Sequence, residues 1–270
     1  MSVPVDTSWS LAPGPILLVL AAGWLYAHRW RASHAEGGER AAPTWRAALF
    51  AVGLVLTLVA LVSPVDRLGE QLASAHMLQH LLLADLASIA LILGLTKHIL
   101  RPATKRIHAI ERKAGPLAHP AFAAVVYVAV MWLWHIPSLY DAALENAFVH
   151  AVEHMSYSAA GLLYWWHLLS PIRSRLRLGG MGPIAYMAST KLLVGFLGVL
   201  LAFSPDLLWD GYGHTGERWG MSPLDDQHVA GLIMGFEQSV VMGIALAWLF
   251  SRMLGESEAE QRREERYEGV

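Results

Sequence analysis

The chain has 270 residues, 55% apolar and only 16% charged, well below the roughly 25% charged residues of soluble domains, which excludes an ordinary soluble enzyme. Its 20 Lys and Arg nearly cancel its 22 Asp and Glu, so no basic excess is left to hold a nucleic-acid backbone. Cysteine is absent, which excludes disulfides, thiolate metal sites, thiol nucleophiles and covalent c-type haem attachment, so any metal must rest on His, Met, Asp or Glu.

Seven apolar runs approach the ~20 residues a helix needs to cross a hydrocarbon layer of about 30 Å. In chain order they are Pro15–Ala32, Ala47–Ser63, His76–Thr96, His119–His135, Phe148–Leu169, Ile184–Ser204 and Asp226–Met253. The expected fold is therefore all-α: a polytopic membrane protein, a bundle of seven transmembrane helices in one domain over 1–255, with a charged tail over 256–270. No Lys or Arg precedes the first run, and Arg29 and Arg31 lie at its far end, so it reads as a retained helix and not as a secretory signal.

Cytoplasmic loops collect Lys and Arg. All the basic residues except Arg67, Arg218 and Lys191 fall on one side of this topology, in the groups Arg29–Arg46, Lys97–Lys113, Arg173–Arg177 and Arg252–Arg266. The amino terminus is thus expected outside, the carboxy terminus and tail in the cytoplasm, and the protein in the cytoplasmic membrane.

That orientation divides the histidines. His28, His34, His98, His108, His119 and His167 fall at the cytoplasmic side without ligand spacing and read as interfacial or loop residues. His76 and His80 open the third run, His150 and His154 the fifth, each pair at i, i+4, which stacks two imidazoles on one helix face. His135 ends the fourth run before Pro137, and Asp225, Asp226 and His228 open the seventh. Four helices thereby bring metal-capable side chains to one depth. His214, in the glycine-rich stretch Gly211–Gly220, reads as solvated.

Imidazole suits copper, zinc, iron and nickel, and thioether favours cuprous copper. Met77 and Met155 stand beside the histidine pairs, and Met221 and Met234 flank the start of the seventh run, so copper fits best, as Cu(I) or Cu(II), with zinc the alternative. The metal candidates are His76, His80, His135, His150, His154 and Asp226, with Met77, Met155 and His228 as additional ones. Asp85, Lys191 and Glu237 are intramembrane charges, costly unless paired or functional. Lys191 and Glu237 lie at depths that allow a pair, Asp226 and Glu237 share a face eleven residues apart, and in a regular α-helix Asp85 points away from His76 and His80.

The strings His76-Met77-Leu78-Gln79-His80, Trp134-His135-Ile136-Pro137-Ser138-Leu139-Tyr140-Asp141, His150-Ala151-Val152-Glu153-His154 and Ser222-Pro223-Leu224-Asp225-Asp226-Gln227-His228 resemble the CtaG family of multi-spanning cytochrome c oxidase assembly proteins. The resemblance runs from about Pro64 to Phe250. It implies a non-catalytic membrane protein that helps deliver copper to a haem-copper oxidase, with an oxidase subunit or another copper chaperone as partner, and it carries functional roles to His76, His80, His135, His150, His154 and Asp226. Three other readings compete. One is a zinc hydrolase with Glu153 as base in His150-x-x-Glu153-His154, another a haem-binding membrane cytochrome with His80 and His154 as axial ligands, and the third a metal transporter routed past Asp85, Lys191 and Glu237.

Overall fold

The computed structural model describes residues 4–172, 174, 176, 178–213 and 217–268. Arg173, Arg175, Arg177 and His214 lie outside the described residues. Among the described residues the regular elements are helical, and the sole bridge is an isolated pairing of Arg218 with Met221.

Each of the seven apolar runs lies largely within a helix or a near-continuous helical stretch. They correspond to α1 (Pro13–Ala41), α2 (Thr44–Val62), the stretch α4 (Ala73–Leu81), π-helical Leu82–Ala87 and α5 (Ser88–Gly94), then α7 (Pro120–Trp134), α9 (Ala147–Leu169), α10 (Gly182–Ala202) and α12 (Pro223–Glu268). Short helices α3 (Pro64–Gly69), α8 (Pro137–Glu145) and α11 (Asp210–Gly213), and the basic helix α6 (Lys97–Ala114), fill the connections. Proline opens α1, α3, α7, α8 and α10 within their first two positions, where its fixed φ suits a helix and its missing N–H has no intrahelical partner to lose. The charged tail continues as helix to Glu268.

Among the described residues, four helical stretches are long and apolar enough to cross a membrane: α2, Ala73–Gly94, α10 and Pro223–Gly255 of α12. A fifth is reached if the pair formed by Lys97–Ala118 and α7, bent by 67°, counts as one span. For two of the three remaining runs, those of α7 and α9, the shortfall has a physical cause. At 1.5 Å per residue the 15-residue α7 is short of the membrane thickness. In α9, three histidines and Glu153 dilute an otherwise apolar helix.

The stretch Ala73–Gly94 is the centre of the molecule: 67% of its apolar window is buried, against 17–39% for the other three. It packs on α2, α9 and α12. Gly161 of α9 presses on the backbone of Ala84, where an added Cβ would overlap the carbonyl. Arg29 and Arg46 lie at the opposite end from His76 and His80, where the Arg46 guanidinium donates to the carbonyls of Leu93 (2.9 Å) and Leu95 (2.7 Å), satisfying acceptors left free at the end of α5.

Candidate metal centre

Three local features position the histidines. Asn146 caps α9 by accepting hydrogen bonds from the Phe148 and Val149 backbone N–H groups, which places His150 and His154 on its first two turns. The chain leaves α7 at His135 and is turned back by Pro137 into α8, which carries Tyr140 to the same place. At α4 the N-cap residue is Leu72, which has no side-chain acceptor to offer. Asp226 of α12 supplies one across the interface: one carboxylate oxygen accepts from the Ala73 N–H (2.6 Å), the other from the Ser74 N–H (3.3 Å) and the Ser74 hydroxyl.

Asp226 is therefore a cap for the helix bearing His76 and His80, and its two oxygens are committed there. The other candidates divide as follows. Each of His76, His80, Glu153 and His154 offers a ligand atom within 4.8 Å of the others, and all four are buried. The Nε2 atoms of His76 and His80 both approach Glu153 Oε1 at 3.3 Å. His150 lies at the edge, its ring 4.2 Å from that of His154 and 5.5 Å from that of His76. His135 sits 6.1 Å from His80, ring to ring, and faces a different partner: its Nδ1 donates to the Met131 carbonyl (2.6 Å), leaving the Nε2 lone pair 3.2 Å from the Met77 sulfur.

Met155 points outward, 60% exposed, and His228 Nε2 donates to the Ser204 carbonyl (2.8 Å); neither joins the group. The expected pairing of Lys191 with Glu237 is corrected. Glu237 lies beside Asp85, and among the described residues no ion pair joins it to Lys191. The expected orientation of Asp85 is corrected as well. The π-helical turn from Leu82 to Ala87 aligns residues about five apart instead of four, so Asp85, five after His80, shares the wall of one small cavity with it.

Glu153 is the residue whose role sequence reasoning missed. Reading His150-x-x-Glu153-His154 alone makes the carboxylate a base, whereas here it is the hub between two imidazoles from another helix. The aromatic shell is a second such feature. Tyr157 stacks on His80 at 3.8 Å, and Tyr140 lies 4.9 Å from His76 and stacks on Trp209 at 4.1 Å. The Tyr212 hydroxyl donates to the Gly69 carbonyl (2.8 Å). The spacing of Tyr157, three residues after His154, carries a signal of its placement, but Trp209 and Tyr212, at and in the short helix α11 far along the chain, have no local signal.

The donor set fits a metal. Nδ1 of His76 and His80, Nε2 of His154 and Glu153 Oε2 are buried without a partner, and the Nε2 atoms of His76 and His80 have only the shared Glu153 Oε1 at 3.3 Å. Each such orphan costs about 1–3 kcal/mol, an arrangement explained if a cation occupies the centre. Donors about 2.0–2.1 Å from a tetrahedral ion stand roughly 3.3 Å apart, so a spread of up to 4.8 Å closes onto an ion with small side-chain rotations.

Fold and site together define an all-helical protein with apolar helices compatible with a membrane, built around a buried His–Glu cluster. It belongs to the cytochrome c oxidase caa3 assembly factor family, whose family model matches residues 24–256. Curated relatives include uncharacterized proteins of Mycobacterium bovis and Mycobacterium tuberculosis, each 25% identical over 231 residues that cover 79% of this chain and 34% of theirs. The chain thus spans about a third of the length of those relatives. No solved structure matches it.

Proposed function

We propose that this protein is a copper carrier of the cytoplasmic membrane which holds Cu(I) near the outer face and passes it, as cargo, toward a haem-copper oxidase subunit or another copper chaperone. His76, His80 and His154 with the Glu153 carboxylate hold the ion, and His150 and His135 stand by for entry and exit. The observation that carries this reading is the set of buried, unsatisfied nitrogen and oxygen donors from two helices in a chain of an oxidase assembly family.

Charge favours the monovalent ion. Three neutral imidazoles and one carboxylate sum to −1, so Cu(I) leaves a neutral centre while a divalent ion leaves a net charge where solvation is poor. A seven-helix topology with the amino terminus outside is supported by the helicity of all seven runs. The gathering of Arg29 and Arg46 at the end away from the cluster also supports it.

Burial argues against two of the competitors, the hydrolase and the cytochrome. A hydrolase must admit substrate to its metal, yet the four side chains are 0–6% exposed. A porphyrin does not fit the adjoining cavity of about 20 Å³. The test is elemental analysis and absorbance of protein purified in mild detergent. Copper, absent from a His80→Ala/His154→Ala double variant and accompanied by no Soret band, is the expected result. Zinc in its place makes the protein a hydrolase candidate, and a Soret band makes it a cytochrome.

A further inference from the structure

One turn inward from His80 lies a second group of buried polar atoms that the histidine cluster does not use. Asp85, 1% exposed, accepts hydrogen bonds from the Tyr127 hydroxyl on both oxygens (2.9 and 2.8 Å) and from the Trp165 indole N–H (2.7 Å). Glu237 of α12 lies beside it. Gln238 Nε2 donates to Glu237 Oε2 (2.7 Å), Glu237 and Asp85 are within hydrogen-bond reach of each other, and Gln238 Oε1 is buried and receives no hydrogen bond. Among the described residues no Lys or Arg forms an ion pair with either acid.

Asp85, Glu237 and Gln238 border a cavity of about 20 Å³ whose wall also includes His80 and three methionines, Met77 of α4, Met131 of α7 and Met234 of α12. That volume holds about one water-sized occupant. Three methionines from three helices around a space of that size, beside buried acceptor oxygens, make a soft and negative environment. A water or an alkali cation gains little from thioether sulfur, whereas cuprous copper gains a bond from each. The Met77 sulfur adds a second sign. It faces the His135 Nε2 lone pair at 3.2 Å with no proton between them, a meeting of two soft donors that a cation would relieve.

We infer that this cavity is a second, sulfur-rich Cu(I) site, fed from the histidine cluster through His80, in which methionine sulfur binds the ion and Glu237 supplies its counter-charge. The inference rests on the copper reading of the outer cluster but makes a separate claim. Transfer is ligand exchange with no change of oxidation state: a bond to the His80 imidazole breaks as bonds to thioether sulfur form. The structure thus describes two stations along one path, nitrogen-rich outside and sulfur-rich inside.

The experiment is an anaerobic Cu(I) titration of the full chain in detergent against a chromogenic chelator, with X-ray absorption at the copper edge on the loaded protein. Two Cu(I) per chain are expected, with a sulfur shell near the ~2.3 Å of metal–sulfur bonds. The volume-conserving Met131→Leu/Met234→Leu variant is expected to lose one copper and most of that shell while keeping the nitrogen-bound ion. Glu237→Gln is expected to weaken the second copper at least tenfold with the sulfur shell retained. Wild-type protein that binds copper through nitrogen and oxygen alone overturns the inner site and leaves the outer one standing. An undiminished sulfur shell in the double methionine variant likewise overturns the inner site alone. Protein that binds no copper overturns the proposed function and the inner site together. The wild-type spectrum decides even if a variant fails to fold.

Discussion

Asp226 separates positioning from ligation in a way two substitutions can resolve. Asp226→Ala removes the acceptor of three hydrogen bonds at the start of α4. The Ala73 residue is 1% exposed, so its N–H is left without water or partner, at about 1–3 kcal/mol. Loss of a helix cap costs about 0.5–2 kcal/mol, and the two contributions overlap. A total near 3 kcal/mol is expected, which is about a hundredfold in the equilibrium between the formed and frayed first turn of α4. Asp226→Asn behaves differently. Its carbonyl oxygen still accepts from the Ala73 N–H, its amide donates to the Ser74 hydroxyl, and Asn is as good a cap as Asp, so the cost is about 1 kcal/mol or less. Thermal unfolding in detergent and Cu(I) competition on the same samples read both quantities. The expected pattern is a clear loss of stability for Ala, little change for Asn, and full copper stoichiometry for Asn. If Asp226→Asn abolishes copper binding as completely as His80→Ala, the carboxylate is a ligand and the capping argument fails.

Glu153→Gln should lower both stability and binding. The charged acceptor that the His76 and His80 Nε2 atoms share becomes a neutral amide, so the metal-free protein loses about 1 kcal/mol, while loss of the charge weakens Cu(I) about a hundredfold; unfolding curves and competition titrations test the two halves. Gly161→Ala places a methyl against the Ala84 backbone and should cost about 1–3 kcal/mol by overpacking, seen as a lowered Tm. Asp66, in α3 outside the apolar spans, is held above the usual carboxylate range chiefly by burial. A raised folded-state pKa means that the charged form opposes folding, and that stability is lost as pH rises through that value. Asp66→Asn is therefore expected to stabilise the protein at neutral pH, and the advantage over wild type should shrink on acidification; a difference independent of pH refutes this account.

Periodic features are legible in the sequence and tertiary ones are not. The seven helical segments follow from apolar runs punctuated by Pro and Asn, signals carried by the residues themselves, as at Asn146 before α9 and Pro137 before α8. The convergence of His76, His80 and His154 follows from i, i+4 spacing at helix ends. What the sequence hides depends on partners far along the chain. Asp226 has the right residue type and depth for a ligand, but its target is the backbone of α4, 152 and 153 residues away. Lys191 is the natural partner for Glu237 on charge, yet packing sets Glu237 beside another acid.

The π-helical turn shows why the placement of Asp85 is a physical matter and not one of counting. A regular helix from His76 onward turns Asp85 to the far side, where it has no connection with the imidazoles. One added residue in the turn, marked by the Ser88 hydroxyl donating to the Leu83 carbonyl five residues back (2.9 Å), rotates Asp85 into line below His80. Nothing in the local sequence requires the insertion. It is favoured by what it lets neighbouring helices reach: the Tyr127 hydroxyl and the Trp165 indole, on α7 and α9, both close on Asp85, and Gly161 lets α9 approach the widened turn. The same distortion that satisfies a buried carboxylate also joins it to the histidine cluster through one small cavity. The placement of Asp85 beside the histidine cluster is therefore a consequence of a single local departure from α-helical geometry, and a change that restores a regular helix there must part the two clusters.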